Sequence, residues 1–278
     1  MNEERLEALL SVYRYRGAMP DFRAVERRRP RRRAPFLWLA AAAVIVIAIG
    51  IAILPRPQGW TTGLIPRAMK PGDVINSESR IRSREVGVID VGKQTTLRFI
   101  GKNRFELKEG TIHARTTSPP GVFVVETPRA NAIDLGCEYT LTVAPNGTGI
   151  LRVKLGWVGL NNWGQSLVPQ GAYATIGSDG RLSPPIFEDA SQAFQEAIRR
   201  RDLNTALPLA RRRDALTLIN LFRFATPEER RMVFERLNAL VPAPPGVSPD
   251  WVEPWWPEVM KASGVTAIKK KKRMLPPT

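Results

Sequence analysis

A run of nineteen residues without a charged or strongly polar side chain, Phe36 to Leu54 (FLWLAAAAVIVIAIGIAIL), limits what the rest of this chain can be. At about 1.5 Å rise per residue, a helix of that length reaches close to the roughly 30 Å of a bilayer's hydrocarbon core. A helix of a water-soluble protein keeps one polar face, and this run has none. It predicts a single membrane-spanning helix bounded by Pro35 and Pro55.

The flanks predict its orientation. Arg27, Arg28, Arg29, Arg31, Arg32 and Arg33 stand just before the run, whereas Arg56, Arg67 and Lys70 are spread out after it. Cytoplasmic flanks carry the excess of Lys and Arg, so the expected topology is an N-terminus inside and the remainder outside. A cleaved signal peptide has a short charged lead and a small-x-small cleavage site, which fits poorly with a 35-residue lead and Ile53-Leu54-Pro55.

Lys and Arg number 42 against 26 Asp and Glu, a net charge of +16 that first suggests nucleic acid. The expected topology removes that partner. Residues 1–35 hold ten Arg and five acidic residues, so +11 of the charge falls in the exported part, where it reads either as attraction to an anionic envelope surface or, more plainly, as simple solubility. One cysteine, Cys137, excludes an intrachain disulfide, and one histidine, His113, excludes a His-rich metal site. No cofactor-binding motif is present: there is no Walker loop and no GxSxG elbow, and the Asn146-Gly147-Thr148 triplet reads as turn chemistry rather than a glycosylation site. Cys137 and His113 are the only nucleophile and base available, and the alternation around Cys137 puts it in the core. No enzyme activity is expected.

Residues 2–13 place Leu6, Leu9, Leu10 and Tyr13 at helical spacing, an apolar stripe that reads either as a docking helix for a cytoplasmic partner or lipid surface, or as part of a disordered basic tail. From about residue 72 the period becomes two. Ile133, Leu135, Cys137, Tyr139, Leu141 and Val143 alternate with polar or small residues, which predicts a half-buried strand; Asn146-Gly147 then predicts a tight hairpin, with Leu151, Val153, Leu155 and Trp157 on one face of the next strand. Many short strands punctuated by glycine predict an all-β unit, a short β-solenoid or a sandwich. After Phe187 the period becomes helical, and Thr226-Pro227-Glu228-Glu229 is a helix start with its capping box. Prolines with Trp251, Trp255 and Trp256 follow; these rings either form a partner-binding or glycan-binding cluster or fold back over a hydrophobic edge. Five basic residues, Lys269 to Arg273, lie near the end.

The ordered set Leu107-Lys108-Glu109-Gly110-Thr111-Ile112, Phe123-Val124-Val125-Glu126-Thr127-Pro128, Asp134 to Thr140, Val153 to Val158, and Val168-Pro169-Gln170-Gly171 resembles the FecR domain over roughly residues 72 to 180. Gly136-Cys137-Glu138-Tyr139 stands where that family has G-T-x-F, the N-terminal segment is shorter than the family's, and the helical C-terminal region is atypical. The resemblance implies a bacterial inner-membrane protein with a periplasmic β domain, which relays a signal from a periplasmic or outer-membrane protein to an extracytoplasmic-function sigma factor. The chain is thus expected to divide into a cytoplasmic basic segment (1–35), a transmembrane helix (36–54), a linker (55–71), a FecR-like all-β domain (72–186), a small α-helical hairpin domain (187–241) and a Pro/Trp-rich, basic tail (242–278). Its expected partners are the lipid bilayer, the signal-bearing protein and a cytoplasmic sigma or anti-sigma factor, with a non-signalling envelope scaffold or binding protein as the alternative.

Overall fold

A computed structural model describes residues 59–63, 66–162 and 165–265. Among these residues fifteen strands form two hydrogen-bonded sheets that share one strand. That strand is β7 (Arg104–Thr116), thirteen residues long. Its first half pairs with β6 (Thr96–Gly101) and, in parallel, with β8 (Val124–Glu126); its second half pairs antiparallel with β5 (Gly87–Val91) and β10 (Glu138–Val143). The change happens at Gly110, where φ is +98° and an added Cβ would lie 2.3–2.6 Å from three atoms of Thr95. Only a residue without a Cβ permits that approach. Thr95 also closes the bend with its hydroxyl, which accepts from the Thr111 N–H at 2.9 Å.

The first sheet runs β2 (Arg67–Ala68), β1 (Trp60–Thr62), β4 (Ser79–Ser83), β5, β7, β10, β11 (Gly149–Leu155), β14 (Ala172–Ile176), β15 (Ile186–Phe187). The second runs β3 (Val74–Ile75), β6, β7, β8, β9 (Asn131–Asp134), β12 (Trp157–Asn161), β13 (Gln165–Pro169). Among the described residues only the β7–β8 pairing is parallel. Trp60 of the first sheet stands edge-on to Phe105 of the shared strand at 5.0 Å, with Phe99 and Phe123 around them, so both sheets bury side chains in one core. Each fully buried aromatic or aliphatic side chain there contributes about 1.5–3 kcal/mol.

The predicted strand over 133–143 is two strands in two sheets. β9 ends at Asp134, the chain turns at Gly136 (φ +91°), and β10 begins at Glu138. Tyr139, Leu141 and Val143 point inward as the alternation requires, but before the turn the phase reverses, so Ala132 and Asp134 are buried and Ile133 is half-exposed. Likewise β11 ends at Leu155, which is 55% exposed, and Trp157 opens β12 after Gly156. The β10–β11 turn is also longer than expected. Gly147 alone takes a positive φ (+79°), and its N–H donates to Ala144 O around Pro145, while Asn146 Oδ1 accepts from the Thr148 N–H at 3.0 Å. Pro at the second turn position fixes that geometry.

Five helices follow: α1 (Gln192–Arg200), α2 (Leu203–Leu209), α3 (Ala215–Leu221), α4 (Pro227–Leu240) and α5 (Trp256–Ala262). The capping box at α4 forms as read: Thr226 Oγ1 accepts from the Glu229 N–H at 3.3 Å, and Glu229 Oε2 from the Thr226 N–H at 2.7 Å. Every residue of α3 is buried. Its Thr217 hydroxyl donates to Pro185 O at 2.7 Å, and its Leu216 N–H to Ser263 Oγ at 3.1 Å, so α3 touches both the strand side and the last helix.

These findings correct the expected fold class. The molecule is an antiparallel β-sheet domain with helices packed into the same hydrophobic core, not a solenoid followed by a separate helical hairpin domain. The physical reason is that α1 to α5 are too few and too short to enclose a core of their own, and they complete the one begun by β14 and β15. Among the described residues no helix is long and apolar enough to cross a membrane, and the run 36–54 lies outside them.

Candidate functional site

The only histidine and cysteine in the chain are held apart by their settings. His113 sits half-buried on the outer face of the first sheet, with Nδ1 3.1 Å from Thr140 Oγ1 and Nε2 3.1 Å from Glu138 Oε1. Lys154 Nζ approaches the same Glu138 oxygen at 3.0 Å, and this partner, followed by His113, holds the Glu138 carboxyl below its ordinary pKa. Cys137 is buried at the β9–β10 crossing. Its thiol donates to Asp134 Oδ1, and Thr116 Oγ1 donates to Asp134 Oδ2 at 2.5 Å. Burial first, and then the adjacent carboxylate, push the thiol far above its ordinary pKa, so it stays protonated and a poor nucleophile. Burial likewise raises Asp134 against the pull of its hydrogen bonds from Cys137, Thr116 and Gly136.

Among the described residues a concave surface lies between the first sheet and α1. Ser191 caps α1 by accepting from the Phe194 N–H at 3.2 Å, and Phe194, Ala197 and Ile198 bury one helix face, leaving Gln195, Glu196, Arg199 and Arg200 on the other. Gln195 fixes the helix against the sheet: its Oε1 accepts from Tyr173 Oη at 2.8 Å, and its Nε2 donates to Ala190 O at 2.7 Å. Arg152 lies over the Tyr173 ring at 5.1 Å and pairs with Glu188 at 2.8 Å. Arg201 ends the helix in the left-handed region (φ 62°), which turns its side chain to Glu229 at 3.3 Å and to Phe224 O.

Two chambers lie along this groove. The smaller, about 640 Å³, is lined by Ile150, Arg152, Tyr173 and Thr175 of the sheet and by Gln192 and Glu196 of the helix. The larger, about 890 Å³, has an apolar lining of Leu182, Pro184, Ile198, Leu221 and Phe224 and a polar rim of Asp179, Arg181, Arg199, Arg200 and Arg201. Arg199 and Thr175 belong to both. Arg199 and Arg200 share the Glu196 carboxylate, each at 2.6 Å, and Arg181 pairs with Asp179 at 3.0 Å. The larger chamber thus joins apolar walls to a rim of paired charges.

The sequence-derived site residues fall elsewhere. Leu6, Leu9, Leu10 and Tyr13 lie outside the described residues. The three tryptophans do not form one exposed cluster: Trp255 is fully buried 5.2 Å from Phe234, Trp256 packs half-buried on the core, and only Trp251, 54% exposed, offers its ring to solvent. Trp255 and Trp256 therefore close the hydrophobic edge over α4, and Trp255 presents no surface to a partner. Sequence reasoning missed the groove. Its one local signal was Arg199-Arg200-Arg201 at a helix end, which alone looks like an ordinary solvated turn. Among the described residues no group of three or more His, Cys, Asp and Glu side chains could hold a metal ion.

No family model and no curated protein matches this chain. Two solved structures of candidate anti-sigma factors from Parabacteroides distasonis ATCC 8503 are similar to it. One has a TM-score of 0.32 at 16% identity and covers 50% of this chain and 65% of that one. The other has a TM-score of 0.31 at 13% identity and covers 51% and 74%. The chain thus spans about two thirds of the first of these structures, 65% of its length.

Proposed function

We propose that this chain is a FecR-like regulatory protein that binds a signal-bearing protein partner with its folded part and reports to a sigma or anti-sigma factor through residues 1–35. One observation carries the reading. The glycines of four motifs that make up the resemblance stand at four of the places where the chain passes between its two sheets: Gly110 within β7, Gly136 between β9 and β10, Gly156 between β11 and β12, and Gly171 between β13 and β14. All four have positive φ, from +76° to +98°. An added Cβ at Gly156 would lie 2.3 Å from Gly136 O, so two of the crossings nest against each other. These four motifs therefore share one structural role, a turn from one layer to the other, which supports reading them as one pattern rather than as scattered short matches. Binding rather than catalysis is supported by the protonated, buried Cys137 and by a groove lined with arginine and apolar side chains.

The reading is tested by deleting residues 2–26 from the full chain in its own cell and comparing transcription with and without the deletion. A photo-crosslinker at Leu6 or Leu9 is followed for attachment to the cell's sigma and anti-sigma factors. Loss of one sigma-dependent transcript set together with a crosslink to that factor or its regulator is the expected outcome. Unchanged transcription with no such crosslink overturns it and leaves a non-signalling binding protein.

A further inference from the structure

From the groove between β14 and α1 we infer that the folded part captures an extended, acidic peptide segment of a partner protein, alternating carboxylate and apolar side chains. This concerns what the groove binds and does not depend on whether a sigma factor is the output.

Shape comes first. The two chambers are strung along one helix, on either side of Arg199, instead of forming one round pocket. Nine helical residues span about 13 Å, which an extended chain covers in about four residues. A lone small anion would fill only a fraction of the 890 Å³ chamber. Its lining by Ile198, Leu221 and Phe224 calls for an apolar side chain as well.

Charge is the second line. Five guanidinium groups, of Arg152, Arg181, Arg199, Arg200 and Arg201, face the groove, against the carboxylates of Asp179, Glu188, Glu196 and Glu229. Two of the five share the single Glu196 carboxylate, one on each oxygen, and Arg201 divides itself between Glu229 and a backbone carbonyl. Arg181 and Arg200 keep 82% and 75% of their side chains exposed, with donors left over for an incoming carboxylate. The groove is also pre-formed, because Gln195 already bridges Tyr173 and Ala190, so little ordering cost is left for binding.

The test is fluorescence anisotropy of the purified full chain with labelled, acetylated octapeptides: one alternating Asp and Leu, one alternating Lys and Leu, one alternating Asp and Ser. The Asp-Leu peptide is expected to bind about tenfold or more tightly than either control and to weaken as salt rises. Arg199→Glu and Arg200→Glu are each expected to weaken it about tenfold, whereas Arg98→Glu, on the second sheet beside Glu106, leaves it unchanged. Circular dichroism and a melting curve check that each variant is folded, and Arg200→Glu, at an exposed helix position, carries the test if Arg199→Glu does not fold. Equal binding of the Asp-Leu and Lys-Leu peptides, affinity indifferent to both reversals, no binding at millimolar peptide, or full displacement by millimolar inorganic phosphate would each overturn the inference.

Discussion

Arg211 holds Asp214 by three hydrogen bonds, from its own backbone N–H and Nε at 2.9 Å and from Nη2 at 3.1 Å, and Asp214 is completely buried. The same guanidinium reaches Asp189 beyond β15, at its carbonyl (2.9 Å) and its carboxylate (3.1 Å), and Arg213 takes the other Asp189 oxygen at 2.9 Å while lying over the Phe187 ring. These contacts raise the Arg211 pKa above its ordinary value, Asp214 first among them. The pair is thus the joint between the end of the first sheet and the start of α3.

Replacing Arg211 by Ala leaves a buried carboxylate without its cation. Breaking a fully buried pair costs about 3–5 kcal/mol; with the Arg211 side chain 43% exposed, screening brings the expected loss to about 2 kcal/mol. Urea denaturation followed by circular dichroism measures it, and a loss under half that size would mean that this pair does not hold α3 to the first sheet.

Substituting Ala at the sheet crossings should separate steric from conformational cost. At Gly156 and Gly110 the new Cβ would meet other atoms at 2.3 Å on top of the positive φ, whereas at Gly121, also at positive φ (+82°), nothing lies within 4 Å. The expected loss is about 1 kcal/mol at Gly121 and well above that at the other two, read as a drop in Tm.

Opposite pH dependences are expected from two carboxyls. Asp134 has a folded-state pKa raised by burial, so the folded protein binds its proton more tightly than the unfolded chain, and stability from this group falls as pH rises from 3.8 through the raised value. Asp134→Asn removes that slope, and the stability of the variant relative to the parent should climb with pH across this window. Glu138 is lowered by Lys154 and His113, so its contribution is present above 4.5 and fades as pH falls through the folded value; Glu138→Gln should close its gap to the parent on acidification. Urea midpoints at half-unit pH steps check both signs.

The Cys137 thiol should resist a thiol-specific disulfide reagent in the native protein and react at once in denaturant, because its pKa is raised and its surface buried. Rapid labelling under native conditions would show that the β9–β10 crossing opens.

What could be read locally was read from the right residues. The Thr226 capping box and the inward set Tyr139, Leu141 and Val143 depend on neighbours three or two positions away, and both formed. The break at Gly136 was hidden because alternation of residue type runs straight through it, while the burial of Asp134 depends on Thr116, eighteen positions earlier. In the same way the Asn146-Gly147 pair hid the effect of Pro145. The groove was illegible for a plainer reason: Arg199 and Arg200 gain meaning only from Thr175 and Tyr173 opposite, and nothing near them in the chain announces β14.

Because β7 belongs to both sheets, the two layers are not free to melt in turn. An amide proton at Leu107, on the second-sheet side of Gly110, and one at Ile112, on the first-sheet side, sit on one continuous backbone rail. Unzipping either flank strips partners from the other, so a disturbance at the rim of one layer is passed into its companion through covalent bonds rather than through loose side-chain contact.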